Sequence, residues 1–97
     1  MQLGAYFLPV DFDTYLPSVE AADAAGYSHA WIPDSVMIWE DPYVYMARGL
    51  AATERIVFGT AVTNPVTRHF SATAAAHATL AQMHPGRVLL GIGRGDS

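Results

Sequence analysis

Residues 56–63 read Ile56-Val57-Phe58-Gly59-Thr60-Ala61-Val62-Thr63, a β-branched run without polar alternation. An alternating strand keeps one wet face, whereas a strand written like this is buried on both, as in a parallel sheet covered by helices. The flanking sequence supplies those helices. On the N-terminal side, Asp41 is placed to cap a helix with Pro42 in its first position, and Tyr43, Met46, Ala47 and Leu50 follow on one face. Before it, Tyr27–Ile32 reads as a strand stopped by Pro33. Thr14–Ala25 reads as a helix with Leu16, Val19, Ala22 and Ala25 at helical spacing. Thr14 suits its N-cap, Pro17 its first turn, and Gly26 the C′ position after it. Leu3–Leu8 is a first strand, ended by Pro9. On the C-terminal side, Ser71–Met83 is an Ala-rich helix closed by Pro85-Gly86, its alanines suited to close packing on a sheet, and Arg87–Ile92 is a fourth strand.

The order is β-α-β-α-β-α-β, and residues 1–97 read as one α/β unit with no linker or charge block. Two architectures fit, a doubly wound open sheet or part of a (β/α)8 barrel. A whole barrel takes about 250 residues, so this would be roughly its first half. The sequence stops just after strand 4, at Gly93-Arg94-Gly95-Asp96-Ser97, which reads as truncation within a strand-to-helix loop.

Composition excludes several classes. The chain has 97 residues, 52% hydrophobic and 14% charged, the reverse of a disordered tail. Five arginines, no lysine and nine acids give a net charge of −4, so nucleic acid is not an expected partner. Without cysteine there is neither a disulfide framework nor a thiolate site. The start lacks a basic signal-peptide region and no apolar run nears the roughly 18 residues of a membrane span. A soluble cytoplasmic protein with no membrane partner is expected. The hydrophobic fraction is high for so small a surface, which suits one piece of a larger protein.

Parallel α/β folds gather ligand groups at the C-terminal ends of their strands. Here those ends are Pro9-Val10-Asp11, Pro33-Asp34-Ser35, Thr63-Asn64-Pro65 and Gly93-Arg94-Gly95-Asp96. Asp34 and Asn64 could hydrogen-bond the edge of a heteroaromatic ring, and Gly93 and Gly95 admit a ligand close to the backbone. The same aspartates and asparagine serve equally well as turn and cap residues.

Gly59-Thr60-Ala61-Val62-Thr63-Asn64-Pro65-Val66-Thr67-Arg68-His69, followed by Leu89-Leu90-Gly91-Ile92-Gly93-Arg94-Gly95-Asp96-Ser97, resembles the luciferase-like flavin and deazaflavin oxidoreductases. Ala24-Ala25-Gly26-Tyr27 leading to Trp31-Ile32-Pro33-Asp34 fits the same pattern. The wording is most similar to the coenzyme F420-dependent, methylenetetrahydromethanopterin reductase-like branch. The resemblance covers essentially the whole chain and implies the N-terminal half of a (β/α)8 barrel that binds F420, or alternatively FMN, at the strand ends. It implies a non-prolyl cis peptide between Ala61 and Val62, bulging against the ring. It places Thr63, Asn64, Gly93 and Arg94 among the cofactor contacts, Asp34 beside ring and substrate as the catalytic candidate, and Trp39 as a substrate wall. Ser35 stands where several F420 enzymes carry a histidine, and Phe70 replaces a common proline after the Arg-His pair.

The implied reaction is hydride transfer between reduced deazaflavin and a small organic substrate, by a full-length parent expected to be a homodimer. An FMN-dependent monooxygenase of the same superfamily is the alternative. A third reading is a non-catalytic half-barrel that self-associates. The phosphate contacts are expected beyond Ser97, so the 97-residue chain alone is expected to be inactive and to bind cofactor weakly. Other motifs carry less. Gly91-Ile92-Gly93-Arg94-Gly95 follows strand 4 and has its third glycine one residue early for a dinucleotide fingerprint. Arg94-Gly95-Asp96 matches an adhesion tripeptide by chance. His69, His77 and His84 come without a zinc-type pattern, so no metal is expected. A Ser-His-Asp arrangement on a nucleophile elbow is missing.

Overall fold

The computed structural model describes residues 2–35 and 38–93. Seven elements alternate: β1 (Gly4–Tyr6), α1 (Phe12–Ala24), β2 (His29–Ile32), α2 (Pro42–Ala52), β3 (Val57–Thr60), α3 (Phe70–Met83) and β4 (Val88–Leu89). The four strands pair in sequence order, and every pairing is parallel. Tyr6, Trp31, Gly59 and Leu89 therefore stand side by side on one face of the sheet.

The opposite face carries Ala30, Ile32 and Phe58, which pack with Val19 and Ala22 of α1 and Met46 and Leu50 of α2 into the core. Tyr15 and Tyr45 meet edge to face at 4.7 Å where α1 crosses α2, and the Tyr15 hydroxyl donates to the Tyr45 carbonyl at 2.7 Å. Glu40 accepts from the Tyr45 hydroxyl. At the N-terminal end of the strands, the Asp23 carboxylate accepts the backbone N–H groups of Glu54, Arg55 and Ile56. Nearby, Arg87 donates to the Leu50, Thr53 and Ile56 carbonyls and to the Thr53 hydroxyl.

The inner face, turned away from the helices, is covered by Trp31. A Cβ on Gly4 would stand 2.9 Å from Trp31 Nε1, and one on Gly59 would stand 2.6 Å from Trp31 Cζ3. The indole thus lies flat from β1 to β3, with His29 stacked on it at 5.5 Å.

Several boundaries differ from the sequence reading. Asp11, not Thr14, caps α1: its carboxylate accepts from the Asp13 N–H and from the Thr14 hydroxyl, so the threonine is a partner of the cap. The cap lies three residues earlier than the sequence suggests, the helix itself opens at Phe12, and Pro17 lies in its interior rather than its first turn. Ala25 is exposed, and Tyr15 fills the buried stripe instead. Asp41 and Pro42 open α2 as expected, and Gly26 follows α1 with φ +90°, a conformation open to glycine. The alanines of α3 do not form its sheet-facing surface. Ala72, Ala74, Ala75 and Ala78 are exposed, while Thr73 and Leu80, seven residues apart, face inward. All four strands are shorter than their apolar runs. Pairing of β3 with β4 stops at Gly59–Leu89 and resumes as a single bridge between Thr63 and Ile92, because the chain bulges in between.

Candidate functional site

That bulge is the Ala61–Val62 peptide, which is cis. Residues of β1 and β2 hold it. The Tyr6 hydroxyl, at the end of β1, donates to the Ala61 carbonyl at 2.6 Å. The Ala61 N–H donates to Ile32 O of β2 at 2.9 Å. Beyond the bulge, the Thr63 N–H donates to Gly91 O at 2.8 Å, and the Gly93 N–H returns to Thr63 O at 3.0 Å.

A cavity of about 360 Å³ opens at these strand ends. Tyr6 and Leu8 wall it from β1, Pro33, Asp34, Ser35 and Trp39 from the segment after β2, and Ala61 and Val62 from the bulge. Of the residues singled out from sequence, Asp34, Trp39, Ala61 and Val62 are brought together here. Gly93 lies behind Val62, where a Cβ would stand 3.3 Å from Val62 Cγ2. Thr63 and Asn64 are buried beside the cavity rather than in its wall. Asn64 Oδ1 accepts from the Val66 N–H at 2.7 Å, which makes it a turn residue as well. Arg94 lies outside the described residues.

The Asp34 side chain is wholly buried. Its carboxylate accepts from Arg68 Nε at 2.7 Å, Arg68 Nη2 at 3.2 Å and the Thr63 hydroxyl at 2.8 Å. Thr63 Oγ1 in turn accepts from the Tyr43 hydroxyl at 3.2 Å. The Arg68 guanidinium lies 4.9 Å from the centre of the Tyr43 ring and reaches Asp41 Oδ2, at the cap of α2, at 3.4 Å. Burial works against the charge on Arg68, but the hydrogen bond and charge of Asp34 outweigh it and raise its pKa above the ordinary arginine value. Burial raises the Tyr43 phenol, and the negative charge of Asp34 adds to that, against the hydrogen bond to Thr63.

Tyr6 and Arg68 are the site residues that sequence reasoning did not single out. A buried carboxylate at a strand end demands a cation, and Arg68 stood in the quoted Thr67-Arg68-His69 stretch as the signal that could have supplied it. Tyr6 offered only a hydroxyl at the end of an apolar run. The histidines fill packing roles: His69 Nδ1 accepts from the Ser71 N–H at the start of α3, and His77 meets the Tyr43 ring edge-on at 5.2 Å.

The Luciferase-like monooxygenase family model matches residues 4–97. The F420-dependent hydroxymycolic acid dehydrogenase of Mycobacterium tuberculosis is 38% identical over 92 residues, 87% of this chain and 26% of that protein. The 5,10-methylenetetrahydromethanopterin reductase of Methanopyrus kandleri is 37% identical over 100 residues, 99% of this chain and 28% of its own length. Among solved structures, the coenzyme F420-dependent tetrahydromethanopterin reductase from Methanopyrus kandleri superposes with a TM-score of 0.88 at 32% identity, covering 98% of this chain and 27% of that one. The FMN complex of the oxygenating constituent of 3,6-diketocamphane monooxygenase from Pseudomonas putida superposes with a TM-score of 0.87 at 27% identity, covering 100% and 30%. The chain thus spans under a third of the length of these relatives, and its fold is the N-terminal half of a (β/α)8 barrel. Matched from Gly4 to its last residue, the chain belongs to the luciferase-like monooxygenase family.

Proposed function

We propose that this chain is the first half of the barrel of an F420-dependent oxidoreductase, in which the strand ends form one wall for a deazaflavin ring and a small organic substrate. The observation that carries the reading is the cavity walled by the Ala61–Val62 peptide, at the end of the sheet where parallel barrels keep their chemistry. Its volume falls within the range of small-molecule sites, about 300–1,000 Å³. Its lining, which joins the Ala61–Val62 segment to the aromatic side chains of Tyr6 and Trp39, suits a flat aromatic group. The F420-dependent dehydrogenase and the coenzyme F420-dependent reductase structure above favour this cofactor class by name.

When bound, the deazaflavin supplies the hydride chemistry. The protein holds the geometry. Tyr6 fixes the Ala61 carbonyl and Ala61–Val62 cover one side of the cavity, while Trp39 limits where substrate sits. Asp34, with three donors on its carboxylate, acts by position. Holding two reactants in register is worth several kcal/mol of barrier, which a fixed wall and an aromatic side piece provide. The remaining barrel units, the phosphate contacts, a homodimeric assembly and a cytoplasmic location are part of the same proposal. Among the described residues, no helix is long and apolar enough to cross a membrane.

The second reading, an FMN-dependent monooxygenase, is favoured by the likeness to the FMN-bound diketocamphane enzyme. Titration of the full-length protein with F420 and with FMN, followed by tryptophan quenching, separates the two. Saturable binding of F420 without FMN is expected; saturation by FMN alone would replace the first reading with the second.

A further inference from the structure

We propose that Arg68 is a positioning residue for the cavity wall: its guanidinium fixes Asp34, Asp34 fixes the Thr63 hydroxyl, and Thr63 sets the Ala61–Asn64 segment from behind. The inference rests on the reading of the cavity as a cofactor site.

The geometry runs in one direction, from the outside of the sheet to the wall. The turn after β3 is closed by the Arg68 N–H on Asn64 O at 3.2 Å, which brings the guanidinium back over the strand end that precedes it. There it grips Asp34 with two nitrogens, a planar fork that lysine cannot reproduce. It is itself held on the Tyr43 ring and beside Asp41, at the start of α2. Asp34 has no exposed side-chain surface, so without Arg68 a buried carboxylate would lose its counter-charge and be driven to move or take up water. Its movement would release the Thr63 hydroxyl. Thr63 is the node of the wall, because its backbone bonds to Gly91 and Gly93 on the β4 side while its chain neighbour Val62 lines the cavity. Arg68 does not line the cavity. It therefore acts through Asp34 and Thr63 rather than by touching the reacting groups.

The test uses Arg68→Met, Arg68→Lys and Asp34→Asn in the full-length protein. F420 affinity, kcat and KM are measured separately, with and without added guanidinium chloride below its unfolding range, alongside the amide resonances of Thr63 and Gly93. Arg68→Met is expected to fold cooperatively and to lose about a hundredfold in kcat/KM, since a wall displaced by about 1 Å costs that much. Guanidinium should restore part of the loss, which a defect in stability alone would not allow. Arg68→Lys keeps the charge without the fork and should remain impaired. Unchanged Thr63 and Gly93 resonances in Arg68→Met, or wild-type kinetics in that variant, would overturn the proposal. If Arg68→Met does not fold, Arg68→Lys and Asp34→Asn carry the same readouts, and wild-type behaviour in both overturns it. Should the unmodified protein fail to bind F420, the functional reading falls while the resonances still decide the role of Arg68.

Discussion

Tyr6 is 63% exposed as a residue, yet its hydroxyl ends on a single atom, the Ala61 carbonyl. Removing that hydroxyl leaves an exposed ring in place, so Tyr6→Phe should cost about 1 kcal/mol or less in a urea titration. The same variant should weaken F420 binding severalfold, because it frees the wall on the β1 side; equal affinity in both proteins would show the contact to be incidental. Asp23 behaves in the opposite way. Its carboxylate gathers three backbone donors at the far end of the barrel, where stability rather than chemistry is at stake. Asp23→Ala should lower the unfolding free energy by about 1–3 kcal/mol without altering cofactor affinity. Burial opposes the charge on Asp23, but those three N–H groups and Arg87 hold its pKa below the usual carboxylate value. The unfolded chain therefore binds more protons on acidification, and this contribution, complete above the unfolded pKa of about 4, fades as pH falls through the folded one. Comparing acid titrations of wild type and Asp23→Ala isolates it. At this scale the sequence disclosed much: Asp34, Trp39, Ala61 and Val62 do converge on one cavity. Tyr6 and Arg68 escaped notice because their partners lie 55 and 34 residues away, set by strand register and a turn rather than by any local period.

Gly49 of α2 faces Tyr15 of α1 and Phe58 of β3. A Cβ there would come within 2.5 Å of the Tyr15 hydroxyl and 2.6 Å of the Phe58 ring. Alanine gains about 1 kcal/mol in helix propensity over glycine, yet overpacking a buried contact of this kind costs about 1–3 kcal/mol. Phe58 is buried on the central strand and has little room to yield, so the second effect wins and Gly49→Ala should lower the thermal midpoint. A raised midpoint would mean the helices can part. Element order and type were legible because apolar runs and helical stripes alternate cleanly along the chain. Element ends were less so. Asp11 and Thr14 are both good caps, and only the folded chain shows one bonding the other. The apolar run of β3 continues to Thr63, but its ladder breaks at a peptide whose geometry no hydrophobic pattern encodes. The alanines of α3 misled for a related reason: small residues permit close packing without requiring it.

For the molecule as a whole, two buried phenols bear on stability in alkali. Burial, followed by the hydrogen bond and charge of Glu40, pushes the Tyr45 pKa up to about 12, and Tyr15 is raised as well, by burial and by its neighbour Tyr45. Above about pH 10 the unfolded chain gives up phenolic protons that the folded one retains. Stability from these groups is thus whole below pH 10 and declines as pH climbs toward 12, and Tyr45→Phe should flatten that decline in a base titration. Among the described residues the sheet has two unpaired edges, β1 and β4, with Leu3, Tyr6, Leu89 and Ile92 exposed on or beside them. Such edges pair with whatever strand arrives, so the 97-residue chain by itself should self-associate as concentration rises, visible in sedimentation. A monomer with intact circular dichroism at high concentration would contradict this. The indole of Trp31, spread from Gly4 to Gly59, occupies the inner face of the sheet without lining the cavity at the strand ends. Replacing Gly59 with a larger residue would force that indole off the strand, because a Cβ there would stand 2.6 Å from Trp31 Cζ3, and so would disturb the sheet beneath the cavity's walls while changing none of the residues that line it.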